Sequence, residues 1–178
     1  MLLSKYNLPL AELAAMADKI RRENTGNSLE TCTIINAKSG RCGEDCKFCA
    51  QSVHYKTESP IYGLVSKQEI VESALVARDA GSSRFSIVTS GHKLSSDDVA
   101  RVAEAAAEIR HRTDIGVCVS LGCLDYDKMC LLKDAGVSRY HHNIETSREY
   151  FSTIVGTHTF DQRIETVRCA ARAGLSTC

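Results

Sequence analysis

Asp79-Ala80-Gly81-Ser82-Ser83-Arg84, Asp134-Ala135-Gly136-Val137-Ser138-Arg139 and Arg172-Ala173-Gly174-Leu175-Ser176 repeat one phrase three times in 178 residues. Each begins where an amphipathic run ends, passes a glycine suited to a helix C-terminus, and leads into a β-prone segment. Each is a helix-to-strand joint. Upstream of the first, Ser66-Lys67-Gln68-Glu69 forms a capping box ahead of Ile70, Val71, Ala74 and Leu75, and a strand follows over 84–89. Ser95-Ser96-Asp97-Asp98 starts a helix through Ile109, then come a strand over 115–121 and a helix over 125–135. A strand over 139–144, a helix over 161–173 and a strand opening at 175–178 complete the pattern. Before it lie a helix from Asn7-Leu8-Pro9 to about Asn24 and a strand over 30–36. Residues 37–65 read as a long loop, and loops of that length usually serve function.

Helices alternating with strands imply an α/β fold with a parallel sheet and crossover helices. The count is four βα units and the start of a fifth strand, whereas a closed barrel has eight. The chain therefore reads as the N-terminal half of a (β/α)8 TIM-type barrel. Residues 1–28 form a helical lead-in and 29–178 the partial barrel; a small open α/β sheet is the competing architecture.

Twenty-two Lys+Arg against 22 Asp+Glu leave no net charge, which disfavours a protein that binds nucleic acid through a basic field. No apolar run reaches the ~18 residues of a membrane span. Met1 to Arg22 carries Glu12 and Asp18 and lacks the order of a signal peptide, so the expected location is the cytoplasm. Nine cysteines are the unusual feature. An odd count, with three of them inside eight residues, argues against disulfides and for metal.

Those three stand in Cys42-Gly43-Glu44-Asp45-Cys46-Lys47-Phe48-Cys49. A C-x3-C-x2-C loop can ligate three irons of a [4Fe–4S] cluster and leave the fourth open to a small chelating ligand. Zinc in a Cys3His set with His54 is the competing reading. Thr89-Ser90-Gly91 follows the second strand, where a barrel presents its active-site rim, and the glycine would let backbone approach a ligand.

The triad, with Phe48 before its last cysteine, resembles the signature of the radical S-adenosylmethionine superfamily. The longer string Cys42 to Ser52 is similar to the biotin synthase family, as are Gly81 to Phe85, Val119 to Gly122 and Tyr140 to Ser147. The resemblance implies S-adenosylmethionine on the open iron, its reductive cleavage to a 5′-deoxyadenosyl radical, and sulfur insertion into dethiobiotin. Cys42, Cys46 and Cys49 would hold the cluster, and Ser90, Gly91, Asn143 and Glu145 would line the S-adenosylmethionine site. Glu145 stands where Asp is more familiar. His141 would lie near dethiobiotin, and no side chain is assigned as acid or base.

The resemblance also implies an auxiliary iron–sulfur cluster, matched by Cys118 and Cys178. Ser86 replaces a third cysteine ligand, and an arginine ligand would fall after Cys178. Cys123 either joins that set or is a half-buried small residue. Cys32, Cys130 and Cys169 read as packed cysteines, and His92 and His158 as surface or hydrogen-bonding residues. An electron donor such as flavodoxin or ferredoxin and a homodimer when complete also follow from the resemblance, and the open parallel edges of four βα units imply no turnover by the isolated half. Two rivals stand beside it: a maturase or mutase of the same superfamily, and a non-catalytic zinc-binding module.

Overall fold

A computed structural model describes residues 8–178; Asn7, at the head of the first helical stretch, lies outside them. The chain divides into two compact units, one through Glu30 and one from Thr31 to Cys178. The first holds α1 (Leu10–Thr25), with Pro9 at its N-cap and Gly26 at its C-cap. Asp18 pairs with Arg21 and Arg22 along its polar side. Leu10, Met16 and Ile20 stay exposed, so the apolar positions of this helix bury nothing within its own unit.

The second unit runs β1 (Cys32–Lys38), α2 (Lys67–Asp79), β2 (Arg84–Thr89), α3 (Ser96–Arg112), β3 (Gly116–Ser120), α4 (Tyr126–Asp134), β4 (Val137–Tyr140), α5 (Arg148–Ile154), α6 (Phe160–Arg172) and β5 (Ser176–Thr177). The strands form one parallel sheet in chain order, β1 to β5. Neighbouring parallel strands joined by helices are the arrangement expected of a partial (β/α)8 barrel.

The repeated joint has a physical cause. Gly81, Gly136 and Gly174 all take positive φ, between 77° and 92°, a region where glycine carries no Cβ penalty. Ser82 N then donates to Ala77 O and Leu175 N to Ala170 O, both 3.0 Å, closing the helix in a Schellman turn and aiming the chain into the next strand. At the other ends, Ser66, Ser95 and Asp125 accept the N3 amide, and Thr159 with Gln162 makes a complete capping box.

One face of the sheet packs Phe85, Ile87, Val117 and Val119 against Ile70, Val71 and Ala74 of α2, Val102 and Ile109 of α3, and Met129 and Leu132 of α4. Burying each large side chain contributes roughly 1.5–3 kcal/mol.

Two expectations need correction. β4 begins at Val137 rather than Arg139, and residues 141–146 form a rim loop rather than strand. The register breaks between Val117 and Cys118, which lets Ser138 bulge and ends pairing early. α5 also lies in a stretch the helical pattern leaves unassigned.

Candidate functional site

The C-terminal ends of β2, β3 and β4 open onto a cavity of about 230 Å³. Cys42, Cys46 and Cys49 line it from the long loop, Ser90 and Gly91 from the end of β2, Gly122 and Cys123 from the end of β3, and His142 and Glu145 from the rim after β4. Thus the triad shares one wall system with three residues of the expected S-adenosylmethionine site. Ser90 is fixed by its hydroxyl donating to Gly40 O at 2.8 Å. Gly91, at φ 111°, has open space where a side chain would stand.

The triad loop rests on α5 and the turn behind it. Cys46 packs with Phe151 and Val155 in a small satellite core that Cys49, Ile154 and Phe160 flank. Lys47 N donates to Ile154 O at 3.0 Å, and Lys47 Nζ to Thr153 O at 2.6 Å. Asp45 Oδ1 accepts from Gly156 N (2.8 Å) and Thr157 N (3.1 Å), with the Thr157 hydroxyl oxygen 3.0 Å away. A Cβ on Gly156 would stand 2.8 Å from Asp45 Oδ2, so any side chain there would push the Asp45 carboxylate aside. Burial pushes the Cys46 thiol up to about 11 before any metal binds; ligation must expel that proton, which a thiolate-binding metal does.

A polar network crosses the cavity wall. Glu44 accepts from His158 Nδ1 and from Thr157 Oγ1 (2.5 Å), and lies 3.2 Å from His92 Nδ1. Arg163 Nη1 reaches His158 Nε2 at 3.1 Å, while its Nε donates to Asn143 O (2.6 Å) and its Nη2 to Glu145 Oε1 (2.9 Å). A guanidinium only donates, so His158 Nε2 must accept and its proton sits on Nδ1, facing Glu44. Burial alone would raise the Glu44 carboxyl, but Thr157, His158 and the nearby His92 together hold it below its ordinary value. Glu44, His92 and His158 have ligand atoms within 4.8 Å of one another, yet both His158 nitrogens are committed to these bonds, so the trio is a hydrogen-bond network rather than a cation site.

Glu145 takes φ 65°, and Thr146 N donates to Ile144 O at 2.8 Å across it. This is a γ-turn of the strained kind, held by Arg163 on two sides.

The expected site residues separate here. Asn143 lines a second opening with Ile144, Thr146 and Cys178; Glu145 and His142 line both openings. His141 lines neither: its amide donates to Val119 O, and burial with the charges of Arg139 and Arg84 lowers its pKa. The neighbouring His142 lines the cavity, together with His92 and His158, which the sequence reads as surface or hydrogen-bonding residues. Burial, then the Arg163 charge, push the His142 pKa down to about 3, so it is neutral at physiological pH. Its Nε2 lies 3.8 Å from Cys123 Sγ. His54, the zinc alternative's fourth ligand, turns Nε2 to Gly43 O at 3.0 Å and is absent from the cavity lining. The meeting of Glu44 with His158 spans 114 residues and has no sequence signature, and Arg163 joins it from five residues beyond His158.

Comparison with known proteins bears on this geometry. Residues 37–178, which contain the triad, all five strands' active ends and the cavity, match the Radical SAM superfamily. The chain belongs to the radical SAM superfamily. Within it, the chain is 49% identical over 169 residues to a biotin synthase of Pelotomaculum thermopropionicum, covering 95% of this chain and 53% of that protein. It is 46% identical to a biotin synthase of Clostridium tetani (98% and 54% covered) and 48% identical to biotin synthase 2 of Corynebacterium diphtheriae (99% and 54%). The chain spans about half the length of these curated relatives. Among solved structures, methylornithine synthase superposes with a TM-score of 0.78 at 21% identity over 93% of this chain and 48% of that one. An FeFe-hydrogenase maturase of Carboxydothermus hydrogenoformans superposes at 0.75 and 20%, over 90% and 38%. At such identities the superpositions establish the fold, a radical SAM barrel of which this chain forms part. Among the described residues no helix is long and apolar enough to cross a membrane.

The donor set suits the superfamily's iron–sulfur cluster. Three soft thiol donors face one cavity, and the loop carrying them is fixed by backbone bonds that leave the sulfurs free.

Proposed function

We propose that the chain is the radical-generating part of a biotin-synthase-type enzyme acting on dethiobiotin. The observation that carries this reading is one cavity uniting Cys42, Cys46 and Cys49 with Ser90, Gly91 and Glu145, in a chain 43–49% identical to biotin synthases. When bound, the cluster and S-adenosylmethionine supply reductive carbon–sulfur cleavage that yields a carbon-centred radical.

The chain's own residues do the positioning. Cys42, Cys46 and Cys49 hold the cluster by three thiolates. The Glu145 carboxylate is aimed by Arg163 and offers acceptors to ribose hydroxyls; Asn143 contributes from the adjoining opening. Ser90 and Gly91 let the ligand lie close to backbone. His142, neutral and buried, lines the ligand cavity with His92 and His158, whereas His141 lies outside that lining. Glu44 and Asp45 tie the loop to residues 156–158, so the cluster is fixed relative to the S-adenosylmethionine site. An auxiliary iron–sulfur cluster, an external one-electron donor such as flavodoxin or ferredoxin, and a homodimeric, cytoplasmic enzyme belong to the same reading.

Anaerobic reconstitution tests it. The expected result is a [4Fe–4S] electron paramagnetic resonance signal that changes on adding S-adenosylmethionine and is lost in Cys46→Ala. Stoichiometric zinc in anaerobically purified protein, with no cluster forming, would overturn it.

A further inference from the structure

The sheet face turned away from the helices carries thiols and guanidiniums. Paired residues of adjacent parallel strands share a face, so Ile34, Ser86, Cys118, Arg139 and Ser176 form one row across all five strands. In the adjoining row Cys32 pairs with Arg84, and alternation by two places Cys32 on the face of Ile34. Cys178 follows Ser176 by two and reaches the same face.

Cys32 of β1 and Cys118 of β3 share this face with β2 between them, and the two thiols are near enough for each to influence the other's ionisation. Only the short side chain of Ser86 stands between them in the Cys118 row. Arg84 Nη1 lies 3.4 Å from Ser138 Oγ, and the guanidinium favours the Cys118 thiolate. Arg139 donates through Nε to Ser176 Oγ at 2.9 Å and lies near both thiols. An independent observation points the same way. Ser86 Oγ is fully buried among these groups and has no hydrogen-bond partner. Such an orphan marks a place built for a polar occupant.

We propose that Cys32, Cys118 and Cys178 hold the second iron–sulfur cluster, Cys32 supplying from β1 the thiolate that Ser86 does not supply from β2. This rests on the two-cluster reading above and assigns its ligands. A serine hydroxyl is hard and weakly acidic, whereas iron–sulfur clusters select soft thiolates. Arg84 and Arg139 offset the negative charge that three thiolates bring into the sheet's open face. Burial pushes the Cys32 and Cys118 thiols up, and Arg84 acts against that rise at both. Cys32 is exposed, not packed as its sequence context suggests. Cys123 is excluded from the set, because it lines the triad cavity beside His142.

The test uses the full chain carrying Cys42→Ala, Cys46→Ala and Cys49→Ala, reconstituted anaerobically, so that remaining iron, sulfide and Mössbauer signal report the second site. We expect that signal to persist, to vanish on adding Cys32→Ala or Cys118→Ala, and to survive Cys123→Ala and Ser86→Ala. Thermal melts of each apo variant identify any that fail to fold. A second readout needs no variant: iodoacetamide should label Cys32 of the wild-type apo chain and be blocked once clusters are loaded, while Cys130 labelling stays constant. Equal signal with and without Cys32, loss on Cys123→Ala instead, or unprotected Cys32 in loaded protein would each overturn the assignment. No iron in the triad-less background overturns it too, but leaves the proposed function standing if the wild-type cluster responds to S-adenosylmethionine. A wild-type cluster blind to S-adenosylmethionine counts against that function instead.

Discussion

The two cysteine regions of this protein are built in opposite ways. At the rim, most polar groups around Cys42, Cys46 and Cys49 already have a partner, with Thr89 Oγ1 the exception: Asp45 accepts from the Gly156 and Thr157 amides, Glu44 from Thr157 and His158, and Arg163 serves three acceptors. On the open sheet face, Ser86 has no partner, Cys32 is exposed, and the row is held mainly by strand pairing. The rim is organised before a cofactor arrives. The sheet face is organised around something still to come. Preorganisation lowers the cost of binding, so the rim should load first and more tightly.

The comparison is broken most severely by removing what lies under the rim. Phe151 is buried beneath Cys46, and Phe151→Ala should cost about 3–5 kcal/mol. It should also abolish triad loading while sparing iron at Cys32 and Cys118. Equal loss of both clusters would show that the two regions are not independent. Arg163→Ala comes next. It strands His158, Glu145 and the Asn143 carbonyl, and charge-assisted bonds of this kind are worth roughly 1.5–3 kcal/mol each. We expect weakened S-adenosylmethionine binding by titration calorimetry with the cluster retained; unchanged affinity would remove Arg163 from the site.

Two serines sharpen the contrast further. Ser90→Ala deletes a buried bond to Gly40 O and should cost about 1 kcal/mol, whereas Ser86→Ala removes an orphan hydroxyl and should be neutral or stabilising by a few tenths of a kcal/mol. Denaturant titration of the apo chain separates them, and an equal cost at both positions contradicts the account. The smallest effect belongs to Asp125, which caps α4 away from both regions. Its bond from Lys128, with Lys93 beside it, holds the carboxyl far below the usual range. A depressed folded value stabilises above the unfolded pKa near 3.9 and loses that contribution as pH falls through the folded value. Asp125→Ala should therefore cost about 1 kcal/mol near neutrality, and the gap to wild type should narrow below about pH 4. A gap that stays constant down to pH 2 would contradict the charged cap.

What the sequence revealed and concealed follows the range of the interactions. The glycine joints, the caps and the triad are local, and each was readable from a few adjacent residues. α5 escaped because seven residues carry too little periodicity, and its task is to support a loop 100 residues away. The start of β4 at Val137 is not legible in the sequence, because the bulge at Ser138 has no residue signature. Which of His141 and His142 reaches the cavity depends on where β4 ends, and the bulge before that end is equally unmarked. The nearness of Cys32 to Cys118 depends on a register spanning three strands, which no local pattern encodes.

The contact between Asp45 and Gly156 also sets a timetable. The two residues are 111 positions apart, and a ribosome adds roughly 5–20 residues per second, so the loop leaves the tunnel about 5–20 s before its clasp exists. Through that interval the three triad thiols are unsupported chain, open to oxidation or to a stray metal ion. A clasped loop can therefore receive its cluster only once residue 158 has left the tunnel, and the nascent thiols need a reducing environment until then.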